Sequence, residues 1–73
     1  MGMAQEVLAA LSGKVFKVSV VVGDRIEEDD EMFVVEALKM EIPIYAPCDG
    51  MVSTINVKKG DAVEEDDVLA VIE

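Results

Sequence analysis

Sliding the chain by 37 residues lays one half over the other without a gap, and nothing else in the sequence limits the fold so tightly. Residues 13–36 read GKVFKVSVVVGDRIEEDDEMFVVE and residues 50–73 read GMVSTINVKKGDAVEEDDVLAVIE. Identities run through Gly13/Gly50, Val15/Val52, Val20/Val57, Gly23/Gly60, Asp24/Asp61, the acidic runs Glu27–Asp30 and Glu64–Asp67, Val34/Val71 and Glu36/Glu73. Val18/Ile55, Ile26/Val63, Met32/Leu69 and Val35/Ile72 match in apolar character, and Ala9/Ala46 extends the match upstream. Each half alternates apolar residues with period two and is punctuated by Gly-Asp, the pattern of short strands joined by turns. Either half alone would expose an apolar face, so the two must pack together. The expected fold is an all-β sandwich or flattened barrel of about eight short strands. Its core should hold Val15, Val18, Val20, Ile26, Met32 and Val34 with their mates Val52, Ile55, Val57, Val63, Leu69 and Val71.

A chain of 73 residues makes one domain, and at this size folding buries only a little over about 60% of the unfolded surface. Small folds often add disulfides or metals. Here the lone Cys48 has no internal partner, and the lack of histidine argues against a zinc cluster. Stability must come from an apolar content of 52%, and Cys48 is expected to be a small, partly buried residue. The net charge is −10, with Lys14, Lys17, Arg25, Lys39, Lys58 and Lys59 the only cations. That balance repels nucleic acid and anionic membrane surfaces alike. No run is long enough for membrane insertion and no signal peptide is visible. Met1-Gly2 resembles a myristoylation start, but Glu6 stands where Ser or Thr is needed. A cytoplasmic location is the expectation. Residues 1–6 are expected to be disordered or vector-derived, with Met3 as a candidate native start. The domain would occupy 7–73, with repeat halves 7–36 and 44–73 around a hairpin at 37–43.

That hairpin breaks a local rule. Met32–Glu36 and Glu41–Tyr45 read as strands, which leaves Leu38-Lys39 at the tip. Two-residue hairpin turns need positive φ and select Asn, Asp or Gly. The other expected turns, at Gly23-Asp24, Asp49-Gly50 and Gly60-Asp61, obey that preference. Leu38 and Met40 are also apolar where solvation favours polar groups, which a recognising partner would explain. Shifting Lys39 by the repeat lands on the chain's beginning or just past Glu73, so the hairpin should project from one end and the termini from the other.

The eight carboxylates of Glu27–Asp30 and Glu64–Asp67 lack the alternating ligands and central glycine of an EF-hand loop. They read as solvated turns in which Asp takes the left-handed conformation, and no metal is assigned. No histidine, nucleophile–base pair or Walker-type phosphate loop is present either, so a catalytic role is not expected.

Glu36-Ala37-Leu38-Lys39-Met40, Ala46-Pro47-Cys48-Asp49-Gly50 and the Gly-Asp turns together resemble the biotinyl domains of the biotin carboxyl carrier family. The resemblance covers nearly the whole chain from about Val7. It departs from the family at Leu38, which replaces a methionine of similar volume, at Ala10, which replaces a proline, and in the acidic turns, which lack a glycine. It implies the half-symmetric hammerhead, two four-stranded sheets related by an internal pseudo-twofold. It further implies that biotin is joined to Lys39 by a biotin ligase that recognises Glu36, Ala37, Leu38, Met40 and Glu41. The domain would then be a non-catalytic carrier, moving a carboxyl group between a biotin carboxylase and a carboxyltransferase or decarboxylase subunit. The absence of an inserted thumb in the first repeat is similar to the carriers of transcarboxylases, acyl-CoA and pyruvate carboxylases, and decarboxylases.

Two other readings compete. A lipoyl carrier domain shares the fold, but its sites usually place Asp just before the lysine and lack the apolar pair. An unmodified β-hybrid interaction module accounts for the repeat and the valines but not for the apolar-flanked lysine.

Overall fold

The computed structural model describes residues 4–73. Of the expected N-terminal extension, residues 1–3, including Met3, lie outside the described residues. Eight strands follow in order: β1 (Gln5–Leu8), β2 (Gly13–Val18), β3 (Arg25–Ile26), β4 (Glu31–Ala37), β5 (Met40–Tyr45), β6 (Gly50–Ile55), β7 (Ala62–Val63) and β8 (Val68–Ile72). Gln5 and Glu6 already belong to β1, two residues before the boundary expected at Val7. The strands form two four-stranded sheets, β1-β8-β6-β3 and β5-β4-β2-β7, all pairs antiparallel. This is the barrel-sandwich the repeat requires.

The halves do not simply stack; they exchange strands. β3 of the first half pairs with β6 of the second, and β7 of the second pairs with β2 of the first. β1 likewise completes the sheet of β8. Each sheet therefore contains strands from both repeats, and a shift of 37 residues converts one sheet into the other.

Even the irregularities repeat. Phe16 and Ser53 are the extra residues where β2–β4 and β6–β8 slip register, and Met32 and Leu69 are those where β4–β5 and β1–β8 do so. A bulge inserts one residue and re-aims the side chains beside it. The strand then buries more than alternate positions, and Met32, Phe33, Val34 and Val35 are all buried. The core thus holds Val15, Val20, Ile26, Met32, Val34, Val52, Val63 and Leu69 as expected, and adds Phe33, Val35, Ala70 and Ile72. Val7, Ala9, Ile44 and Ala46 close it, while Val18, Ile55 and Val57 are only partly buried against it and Val71 is half-buried. Truncating the fully buried Phe33 to Ala would cost about 3–5 kcal/mol, much of the roughly 5–15 kcal/mol that holds a domain folded.

Gly13 and Gly50 open β2 and β6 where backbones meet closely. A Cβ on Gly13 would lie 2.5 Å from the carbonyl oxygen of Glu36, and one on Gly50 would lie 2.8 Å from that of Glu73. Those contacts also define two ends. Around the β4–β5 tip gather Gly13, Lys14, Ala62 and Val63. Around Gln5, Ile72 and Glu73 gather Gly50, Met51, Arg25 and Ile26. No residue belongs to both sets, and the molecule measures 40 × 17 × 16 Å. The first set is the hairpin end and the second the terminal end.

Candidate functional site

Four turns follow one design. At 21–24, 27–30, 58–61 and 64–67 the fourth N–H donates to the first carbonyl at 3.0–3.1 Å. The third residue has positive φ: Gly23 (97°), Asp29 (73°), Gly60 (97°) and Asp66 (71°). That is the signature of a type II turn. In each, the last aspartate's carboxylate accepts the first residue's N–H: Asp24 from Val21 at 2.9 Å, Asp30 from Glu27 at 2.8 Å, Asp61 from Lys58 at 3.0 Å and Asp67 from Glu64 at 2.9 Å. The acidic runs thus serve the backbone. Among the described residues no cluster of three or more His, Cys, Asp or Glu is placed to hold a metal ion. Asp49-Gly50 is a bend leading into β6 rather than a turn tip, with the Asp49 carboxylate accepting the Glu28 N–H at 2.7 Å.

The fifth turn differs. Ala37 pairs with Met40, leaving Leu38 and Lys39 as the two-residue loop. Their φ angles are 51° and 65°. Positive φ at both positions is the mark of type I′, which matches the twist of the flanking strands. A side chain in this region costs about 1–2 kcal/mol. Leu38 is 95% exposed and Met40 61% exposed, so burial returns little of that cost. Lys39 is exposed at the tip.

The structure brings Glu36, Ala37, Leu38, Lys39, Met40 and Glu41 onto this one hairpin, as the sequence predicts. Strands β4 and β5 begin the hairpin one residue nearer the tip than expected, taking in Ala37 and Met40. Glu36 lies directly opposite Glu41, and Lys14 of β2 lies opposite Glu36 on its other side. Register thus sets two carboxylates side by side, with one cation on the neighbouring strand. Lys14 was not singled out from sequence, because only strand register places it there.

No polar or charged side chain is buried among the described residues, so the tip lysine stands without an enclosed base or acid. A shallow groove of about 350 Å³ runs over Ile55, Asn56, Val57, Lys58 and Asp61, none of them in the hairpin. Chemically, the site can present one amine, at a fixed place, to another protein's active site.

Residues 2–72 match the family model described as biotin-requiring enzyme, of biotin/lipoyl type. The chain belongs to this biotin/lipoyl attachment family. It is 47% identical over 36 residues to a biotin/lipoyl attachment protein of Bacillus subtilis, covering 49% of each chain. It is 43% identical over 44 residues to a biotinylated protein TB7.3 homolog of Mycolicibacterium smegmatis, covering 60% of this chain and 62% of that one. The matches thus span about half to three-fifths of these relatives' length. Among solved structures, urea carboxylase of Kluyveromyces lactis superposes on all of this chain with a TM-score of 0.91 and 34% identity, the match taking 6% of that protein. A single-chain, multi-domain long-chain acyl-CoA carboxylase superposes on 93% with a TM-score of 0.87 and 28% identity, over 7% of its length. This chain therefore resembles the carrier domains within multi-domain carboxylases.

Proposed function

We propose that Lys39 is the attachment residue, that biotin is the group attached, and that the domain is a non-catalytic carboxyl carrier of the cytoplasm. The observation that carries this reading is the Leu38-Lys39-Met40 tip, where two non-glycine residues hold positive φ and the lysine's apolar neighbours face solvent. The fold gains nothing from leucine there. An apolar pocket on a biotin ligase does, and Glu36, Ala37, Leu38, Met40 and Glu41 form the surface it reads. A protonated amine is no nucleophile, so the ligase must remove a proton from Lys39. Nζ then bonds to the acyl carbon of the adenylated acid as AMP leaves and a second proton passes from Nζ to solvent, giving a neutral amide.

Once bound, biotin supplies a ureido nitrogen that accepts and releases a carboxyl group. The chain's own contribution is positional. The rigid hairpin holds the arm's root, and tethering keeps the group at high effective concentration near a biotin carboxylase and a carboxyltransferase or decarboxylase. The likeness to two carboxylases supports these partners. Apolar flanks and a biotinylated relative favour biotin over lipoate. Co-expression with an active biotin ligase, followed by intact mass spectrometry and streptavidin binding, tests the assignment. One biotin per chain is expected. A lipoyl adduct, or only unmodified protein, would overturn it.

A further inference from the structure

The hairpin tip reads almost alike from its two sides. Glu36 and Ala37 on β4 face Glu41 and Met40 on β5, so each flank of Lys39 offers an apolar residue and then a carboxylate. An enzyme that joins a group to Lys39 must still approach in one orientation, because Nζ has to meet a single acyl carbon. The hairpin's own charges do not tell the two approaches apart. The sheet around it does. β5 is an edge strand, whereas β4 is followed by β2 and then β7. Lys14 of β2 stands opposite Glu36, and Ala62 of β7 stands opposite Lys14. Residues directly opposite across antiparallel strands share a face, and Glu41, Glu36, Lys14 and Ala62 are all exposed. Across the sheet this row therefore carries two anions, then a cation, then a neutral residue.

Lys14 lies within reach of whatever covers the tip. Strands sit about 4.8 Å apart and rise about 3.4 Å per residue, which puts its Cα within about 12 Å of that of Lys39. A partner covering about 600 Å² of its target, the size of a weak encounter, spreads past one hairpin on a body 17 × 16 Å across its short axes. An enzyme seated on Lys39 thus extends over β2. The fold itself does not impose a lysine there. A shift of 37 residues turns Lys14 into Met51, which follows Gly50 as Lys14 follows Gly13. Met51 exchanges two 2.8 Å backbone hydrogen bonds with Glu73, the mate of Glu36. It is 47% exposed, so this strand position accepts an uncharged side chain at the surface.

We propose that Lys14 is a specificity-determining residue for attachment: its cation marks the β2 flank of the hairpin and fixes the orientation in which the ligase takes Lys39. This rests on the reading of Lys39 as the attachment residue. The ligase meets Glu36 and Glu41 with donors and Lys14 with an acceptor. A carrier rotated by half a turn about the hairpin axis would then set Lys14 off the enzyme and leave that acceptor unpaired, which is how charged interfaces reject wrong approaches. Lys14 takes no part in forming the amide, so its effect falls on productive binding rather than on chemistry.

The test follows biotin transfer from ATP and biotin by a biotin ligase to the full chain, comparing wild type with Lys14→Met, which writes the second half's residue into the first. Melting curves should coincide. KM for the carrier should rise roughly threefold while kcat stays within about twofold. Lys14→Glu should raise KM roughly tenfold or more, and added salt should shrink both effects. Lys14→Arg, which returns the cation, should restore the wild-type KM. Lys17→Met removes the same charge farther from the tip, opposite Val34, and should leave KM unchanged. An unchanged KM in Lys14→Met overturns the proposal. So does an equal rise in Lys17→Met, since net charge alone would then account for both. A clearly lower melting temperature in Lys14→Met also overturns it, because the lysine would then serve the fold. A wild-type chain that accepts no biotin sinks the attachment reading itself, before any variant is compared.

Discussion

The turn at Glu27–Asp30 and the turn at Ala37–Met40 both demand left-handed backbone, and they meet the demand in opposite ways. The first places Asp29, a residue tolerant of positive φ, at the strained position and caps the turn with the Asp30 carboxylate at 2.8 Å. The second places Leu38 and Lys39 there, and among the described residues neither side chain makes a hydrogen bond back to the turn. The acidic turn is optimised for the chain itself. The lysine turn carries a steric cost of about 1–2 kcal/mol per residue and exposes its apolar neighbours. Strain of that kind persists where surrounding structure over-determines it, and functional sites are where it collects.

Five variants probe that contrast, beginning with the largest effect. Lys39→Ala should abolish biotin incorporation, read by streptavidin binding, while leaving the circular dichroism spectrum and Tm near wild type; persistent labelling would refute the site. Replacing Leu38-Lys39 by Asn-Gly should raise unfolding free energy by about 2 kcal/mol in urea titration, again with no labelling. If stability falls instead, the lysine turn is not strained and the comparison fails. Leu38→Asp should keep or slightly improve stability but slow the ligase roughly tenfold, equivalent to about 1.4 kcal/mol of lost recognition. Equal labelling rates would show that the ligase does not read Leu38. Smallest, Asp30→Ala and Asp67→Ala should each cost about 1 kcal/mol for the lost hydrogen bond. The two costs should agree within about 0.5 kcal/mol, since the caps are twofold mates; a large inequality would mean the halves are less equivalent than their geometry.

Most of this fold could be read from the repeat, because period-two alternation and Gly-Asp punctuation act locally. The lysine hairpin was legible for the opposite reason, as the turn whose residues defied local preference. What escaped depends on register. Phe33, Val35, Ala70 and Ile72 enter the core because bulges at Met32 and Leu69 shift which side chains turn inward, and no alternation pattern marks a bulge. Lys14 beside Glu36 escaped likewise, since the two meet only through the pairing of β2 with β4. The exchange of β3 and β7 between halves had no signal at all, as two-residue strands carry too little pattern to declare a partner.

That exchange also governs how the protein comes into being. β2 has its neighbour β7 and β1 its neighbour β8 only after the second repeat has been made, so neither sheet can be completed from the first repeat alone. Topologies dominated by such distant pairings fold slowly. The β4–β5 hairpin can form early and pair with β2, but its sheet is complete only once β7 arrives. A ligase that requires the finished sheet therefore meets its substrate only after β7 has been made, and the timing of modification is written into the order in which strands emerge.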